Sequence, residues 1–152
     1  MNYHFANTEF EYDILYPEGK DEPFVDFYCQ VSFSKDLTKP VHREILPFPG
    51  CEMTWRTSGN TYLEKDDMPL QLSDMYILGQ PSVQRCYSID PGTTVFFVRL
   101  KQYLLKSSLQ QFSSWKDTCF EFGDIWSDEV CTKLTQISTI KDFADKSQAV
   151  KN

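Results

Sequence analysis

The hydrophobic period changes once along this chain, near Lys101, and that change restricts the architectures open to it. Residues 8–100 run as short alternating or β-branched and aromatic segments; beyond them, apolar residues recur at helical spacing. Phe10, Tyr12, Ile14 and Tyr16 alternate with Glu11 and Asp13 until Pro17-Glu18-Gly19 breaks the run. Residues 24–33 are dense in aromatic and β-branched side chains, a second strand. Short strands are expected at Arg43–Leu46, Glu52–Thr57, Thr61–Glu64, Met75–Leu78 and Gln84–Ile89. Pro47-Phe48-Pro49-Gly50 is read as a turn and Ser58-Gly59-Asn60 as a hairpin tip. After the turn signal Asp90-Pro91-Gly92 comes the most apolar strand, Thr94–Leu100.

Behind it, Leu104, Leu105 and Leu109 predict a first short helix. Ser127 is positioned to cap a second, with Asp128 and Glu129 in its first turn and Val130, Leu134 and Ile137 on one face. Ser138-Thr139 is expected to cap a last helix carrying Ile140, Phe143 and Ala144. Strands first and helices last make an α+β chain with segregated layers. Seven or eight short strands fit a small barrel or sandwich.

The 152 residues suffice for one domain with a continuous core, strands over about 8–100 and helices over about 101–150. The formal charge of −7, from 15 Lys and Arg against 22 Asp and Glu, argues against this chain gripping nucleic acid by itself. No apolar stretch approaches the length of a membrane helix, and the start Met1-Asn2-Tyr3-His4-Phe5 lacks the features of a signal peptide; a cytoplasmic protein with no membrane partner is expected. Cys29, Cys51, Cys86, Cys119 and Cys131 are odd in number and scattered, so free thiols are expected.

Small barrels often hold a metal with several histidines and a carboxylate. Only His4 and His42 are present here, far apart, with no His-x-His or Cys-x-x-Cys pair, so neither a metal nor another cofactor is expected. No Gly-x-Ser-x-Gly elbow, phosphate-binding P-loop or Gly-x-Gly-x-x-Gly turn occurs, and Asp66-Asp67 reads as a solvated turn. On this absence of motifs the chain is read as having no enzymatic activity. The strand Glu52-Met53-Thr54-Trp55-Arg56 places Met53 and Trp55 on one face and Glu52, Thr54 and Arg56 on the other. Met53 and Trp55 either pack as core or line a pocket for a small apolar ligand.

Four segments occur in a familiar order. They are Pro23-Phe24-Val25-Asp26-Phe27-Tyr28-Cys29, residues 45–55 around Gly50 and Glu52, Met75-Tyr76-Ile77-Leu78-Gly79-Gln80, and Thr94-Val95-Phe96-Phe97-Val98-Arg99-Leu100. Together with the helical tail they resemble the N-terminal, non-DNA-binding domain of AraC-type bacterial transcriptional regulators. The resemblance implies a cupin-like β-barrel followed by helices, used to sense a small-molecule effector, to form a homodimer, or both. DNA would be contacted only by a C-terminal helix-turn-helix domain absent from this chain.

On that reading the ligand-binding candidates are Glu52, Met53 and Trp55, with Arg99 as a charge partner. Glu52 joins the other two only at a strand end or a bulge. Gly79 and Gln80 close a strand. Val130, Leu134 and Ile137 form either a dimer face or the stripe that packs the helix on its own barrel. Two alternatives stand beside this reading: a stand-alone small-molecule-binding barrel, and a metal-independent cupin-like enzyme such as a sugar isomerase. The second requires an open pocket with converging polar titratable groups; a sealed, aromatic-filled barrel would count against it.

Overall fold

A computed structural model of the chain describes residues 2–65, 68–101 and 117–151. The strands among them are β1 (Asn2–Ala6), β2 (Phe10–Leu15), β3 (Val25–Phe33), β4 (Val41–Ile45), β5 (Cys51–Ser58), β6 (Thr61–Lys65), β7 (Met68–Gln71), β8 (Met75–Leu78), β9 (Arg85–Ile89), β10 (Thr94–Leu100) and β11 (Cys119–Glu121). Two helices close the chain, α1 (Asp128–Ile137) and α2 (Phe143–Val150). The strands form two antiparallel sheets, ordered β1-β2-β3-β10-β5-β8-β11 and β4-β9-β6-β7. The result is the expected α+β class, a cupin-like barrel of two facing sheets with helices against one of them.

The apolar run Thr94–Leu100 becomes β10, inside the large sheet between β3 and β5. Its two faces go to different places. Phe96 and Val98 join Val25, Tyr28, Met53, Trp55 and Ile77 in a core closed by Phe122 of a 3-10 turn and Ile137 of α1. Val95, Phe97 and Arg99 face the small sheet across the barrel interior. Burial on both faces explains why this strand lacks the polar alternation of a half-exposed one. Beside the interior a second core gathers Phe33, Leu72, Tyr76, Leu78, Tyr87 and Ile89.

Among the described residues eleven strands replace the expected seven or eight, because strands begin earlier and end later than their apolar patterning shows. β1 presents only exposed residues and is held as a hairpin on β2, where Asn7 Oδ1 accepts from the backbone N–H groups of Glu9 and Phe10. β7 carries Pro69, which lacks a ladder donor and fits an outermost strand. Ser58-Gly59-Asn60 is not a hairpin tip. It is a corner at which the chain leaves the large sheet for the small one, and Asp90-Pro91-Gly92 is the return corner. The two corners interlock: Asp90 N–H donates to the Asn60 carbonyl at 3.0 Å, and Asn60 N–H donates to Thr93 Oγ1 at 3.1 Å.

Ser127 occupies the N-cap of α1 as expected, although its side chain makes no capping hydrogen bond. The last helix starts later than Ser138-Thr139 predicts, because the Asp142 carboxylate caps it by accepting from Asp145 N–H. Leu134 and Ile137 pack on the large sheet while Val130 stays exposed, so most of that stripe is the helix's own packing face. α2 is tied down by Lys146, whose ammonium donates to Gln30 Oε1 of β3. The helix expected around Leu104, Leu105 and Leu109, and the pair Asp66-Asp67, lie outside the described residues. No helix among the described residues is long and apolar enough to cross a membrane.

Candidate functional site

The facing sheets enclose a cavity of about 550 Å³. One wall is the inner face of the large sheet, with Val31 and Phe33 from β3, Val95 and Phe97 from β10, and Thr54 from β5. The other is the small sheet, with Arg43 and Ile45 from β4, Thr61 from β6, and Tyr87 and Ile89 from β9. The mouth lies at the end of β4, where Leu46 is 66% exposed and Glu44 is also exposed. The volume is that of an ordinary small-molecule site.

Antiparallel register sets the polar groups in place. Arg99 of β10 lies directly opposite Glu52 of β5, and its Nε donates to Glu52 Oε1 at 2.9 Å, with Nη2 donating to the same oxygen. The guanidinium carbon sits 3.8 Å from the Phe48 ring centroid and 4.8 Å from that of Phe27, so aromatic faces also hold the cation. The Glu52 side chain is 8% exposed and that of Arg99 23%. Burial lifts the Glu52 carboxyl above the usual carboxylate range, while the Arg99 guanidinium beside it pulls the other way. Tyr76, opposite Thr54 in the ladder and hydrogen-bonded to it, has its phenol raised by burial; that of Tyr87 is pushed up to about 12 for the same reason. Both phenols are therefore neutral hydroxyls at physiological pH.

Buried polar atoms in proteins are nearly always paired. Two on the small-sheet wall are not: Arg43 Nη2 and Thr61 Oγ1 are buried and make no hydrogen bond among the described residues, and Tyr87 Oη makes none of good geometry, although the Arg85 guanidinium lies beside it. Arg43 is the register partner of Tyr87, and Thr61 is the partner of Ile89, two residues further along the same face. Arg43 and Tyr87 are thus neighbours on β4 and β9, with Thr61 on β6 diagonal to Tyr87, but their side-chain ends part: the Arg43 guanidinium lies over Phe10 of β2, and the Tyr87 phenol lies beside Arg85 and Cys119. Arg56 Nη1 is a further unpaired atom, but the other terminal nitrogen of Arg56 is bound to Asp74.

Of the residues expected from sequence to bind a ligand, Glu52 and Arg99 meet in the cavity and Met53 and Trp55 do not. The placement of Met53 and Trp55 in a pocket is corrected: both face the helices. Trp55 is fully buried, its Nε1 donates to the Leu134 carbonyl at 2.9 Å, and its ring packs on Phe96 and Phe122. The middle of the large sheet is buried on both faces, so the more apolar face of β5 is the packing face, and Glu52 and Thr54 of its mixed face point into the cavity. Arg43, Thr61, Tyr76 and Tyr87 were missed. They come from separate short strands, and only the register brings them together. Gly79 and Gln80 hold the end of β8, where Gly79 N–H donates to the Thr118 carbonyl and Gln80 accepts from Asp117 N–H.

A metal suits these residues poorly. The cavity wall contributes no histidine, its buried carboxylate already binds Arg99, Glu44 stands exposed at the mouth, and the other polar groups are neutral hydroxyls and guanidinium ions. His4 and His42 are exposed on the outside, bound to Asp13 and Glu64. Among the described residues no three His, Cys, Asp or Glu side chains group as a metal site.

No family model and no curated protein matches the chain. Solved structures do match it. The nucleoside dehydratase Pac13 from Streptomyces is 11% identical over 64% of this chain and 75% of its own, with a TM-score of 0.43. Oxalate decarboxylase from Bacillus subtilis is 10% identical over 89% of this chain and 35% of its own, at 0.44. A transcriptional regulator of the HTH_3 family from Vibrio cholerae is 11% identical over 61% of this chain and 51% of its own, at 0.42.

The expectation of no enzymatic activity is withdrawn. The interior is an open cavity with several polar groups, the condition an enzyme reading requires, rather than a sealed aromatic core. Missing sequence motifs do not exclude chemistry in a barrel whose site residues come one by one from different strands. The AraC-type resemblance finds no counterpart among these matches. What the chain shares with them is the cupin-like barrel.

Proposed function

We propose that the chain is a cupin-type small-molecule-binding domain whose ligand occupies the cavity between the two sheets. The buried, unpartnered polar atoms of Arg43 and Thr61 on the wall of a 550 Å³ cavity carry the reading. Leaving such groups unpaired costs about 1–3 kcal/mol each, a cost that a ligand with matching acceptors removes. The order of the four sequence segments supports a narrower use of the same pocket, as the sensing domain of an AraC-type regulator in which ligand binding shifts a population of arrangements.

The test is a fragment screen by ligand-observed NMR and thermal shift on the wild type and on Val95→Trp, which fills the cavity from β10. A ligand at a hundredfold excess over its Kd adds about 2.7 kcal/mol of stability, about 5–10 °C for a chain of this length. Hits that lose binding in Val95→Trp support the proposal. A screen without hits, or hits indifferent to Val95→Trp, overturns it. A ligand that also changes the oligomeric state in light scattering would favour the sensing role.

A further inference from the structure

Resting on the proposal that the cavity binds a small molecule, we infer that the ligand is an organic anion. Its acidic group sits on Arg43, and its apolar body lies against Phe10, Val31, Phe33 and Phe97. The argument begins with the charges of the interior. Glu52 is neutralised by Arg99 through two hydrogen bonds to one oxygen. Arg56 is bound to Asp74, and Arg85 has Asp117 at 3.7 Å. Arg43 alone among the arginines of this interior has no carboxylate in ion-pair distance among the described residues, and its Nη2 is buried.

A guanidinium only donates hydrogen bonds and keeps its charge at every accessible pH. Its partner therefore has to be an acceptor, and an anionic one meets the charge as well. The cation is also held in place: its central carbon lies 4.0 Å from the Phe10 ring centroid. Contact through one face leaves the in-plane N–H groups for a ligand. The hydroxyls of Thr61 and Tyr87 line the same wall, and burial keeps the Tyr87 phenol protonated. The opposite wall is Val31, Phe33, Val95 and Phe97, which selects an aromatic or branched aliphatic body. A cationic ligand meets repulsion from Arg43, and the buried carboxylate, Glu52, is already taken; the other lining carboxylate, Glu44, stands exposed at the mouth next to Arg43.

The experiment uses matched triplets on the whole chain: 1-naphthaleneacetate, 1-naphthaleneacetamide and 1-naphthylmethylamine, with a cyclohexylbutanoate, amide and amine set beside them. Affinities are read by isothermal titration for the wild type, Arg43→Met, Arg43→Lys and Tyr87→Phe. Carboxylates are expected to bind at least tenfold more tightly than amides, with amines weakest. The preference should collapse to less than threefold in Arg43→Met, survive in part in Arg43→Lys, and persist in Tyr87→Phe, because the Tyr87 hydroxyl points away from Arg43. Amides or amines that bind as well as acids in the wild type, or a preference that persists in Arg43→Met, overturn the anion inference. If in that case binding is still lost in Val95→Trp, the cavity proposal stands without it. If no member of either triplet binds, the inference falls, and the fragment screen then decides the cavity proposal separately.

Discussion

Trp55 offers the sharpest separation between stability and binding, because it neighbours Glu52 and Thr54 in sequence yet faces the opposite way. Replacing it with Phe removes about 40 Å² of buried apolar surface, about 1 kcal/mol at about 25 cal/mol per Å². The void left behind, about 40 Å³ at about 24 cal/mol per Å³, adds about 1 kcal/mol. The Leu134 carbonyl also loses the indole N–H that donates to it at 2.9 Å, for about 1 kcal/mol more. Trp55→Phe should therefore cost about 3 kcal/mol, lowering Tm by about 6–12 °C for a chain of this length. Urea denaturation followed by far-UV circular dichroism measures the loss, and titration of the same protein with 1-naphthaleneacetate measures the cavity. Affinity should stay within twofold of the wild type at a temperature where both are folded. A cost below 1 kcal/mol, or a loss of affinity comparable to that of Arg43→Met, would refute the placement of Trp55 in the helix-side core.

Two other perturbations test the scaffold. Glu52 has a folded pKa above its unfolded value near 4.5, so it subtracts nothing from stability below that pH and progressively more as the pH rises through the folded value. Arg99→Met raises the folded value further and extends the fall to higher pH, at up to about 1.4 kcal/mol per pH unit. At pH 8 the variant should be about 2–3 kcal/mol less stable than the wild type, a figure reduced from that of a fully buried pair because Arg99 is partly exposed. Urea midpoints at pH 5, 6, 7 and 8 measure this, and parallel profiles for the two proteins would contradict it. At the sheet-switching corner, Gly59 has φ +71°, and a Cβ there would lie 2.1 Å from Thr93 Oγ1 and 2.6 Å from Thr93 Cα. Gly59→Ala combines left-handed strain with overpacking, about 2–4 kcal/mol by thermal unfolding, and a change under 1 kcal/mol would show that the corner yields freely.

Much of the fold was legible because local chemistry and the final structure agree. The apolar run 94–100, the turn chemistry before it and the acidic first turn of α1 each mean the same thing in isolation as in the assembled protein. β1 was missed because Tyr3 and Phe5 are exposed, so their alternation does not report on a core. The corner at Gly59 was misread because a left-handed glycine serves a hairpin and a sheet crossing equally, and only the pairing of β6 with β9 distinguishes them. The site was half legible. Alternation separated Glu52 from Trp55, but hydrophobicity chose the wrong face as the interior, since helices cover the outside of the large sheet. Arg43, Thr61 and Tyr87 carry no local mark; each is an ordinary strand residue until register sets β4, β9 and β6 side by side.

The two faces of the large sheet thus have different duties, and side-chain alternation keeps them apart. On β5 the residues 51, 53 and 55 pack toward the helices, while 52 and 54 face the cavity; on β10 it is 96 and 98 against 95, 97 and 99. Trp55, Phe96 and Val98 are fully buried, and together with Phe122 and Ile137 they supply a tightly packed apolar layer that needs nothing from the interior. Such a layer lets the opposite face hold a paired carboxylate, buried phenols and an arginine without a partner, each of which weakens a core that has to stand alone. The helices beyond residue 127 serve the cavity in this indirect sense: by closing one side of the sheet, they leave the other free to remain hollow.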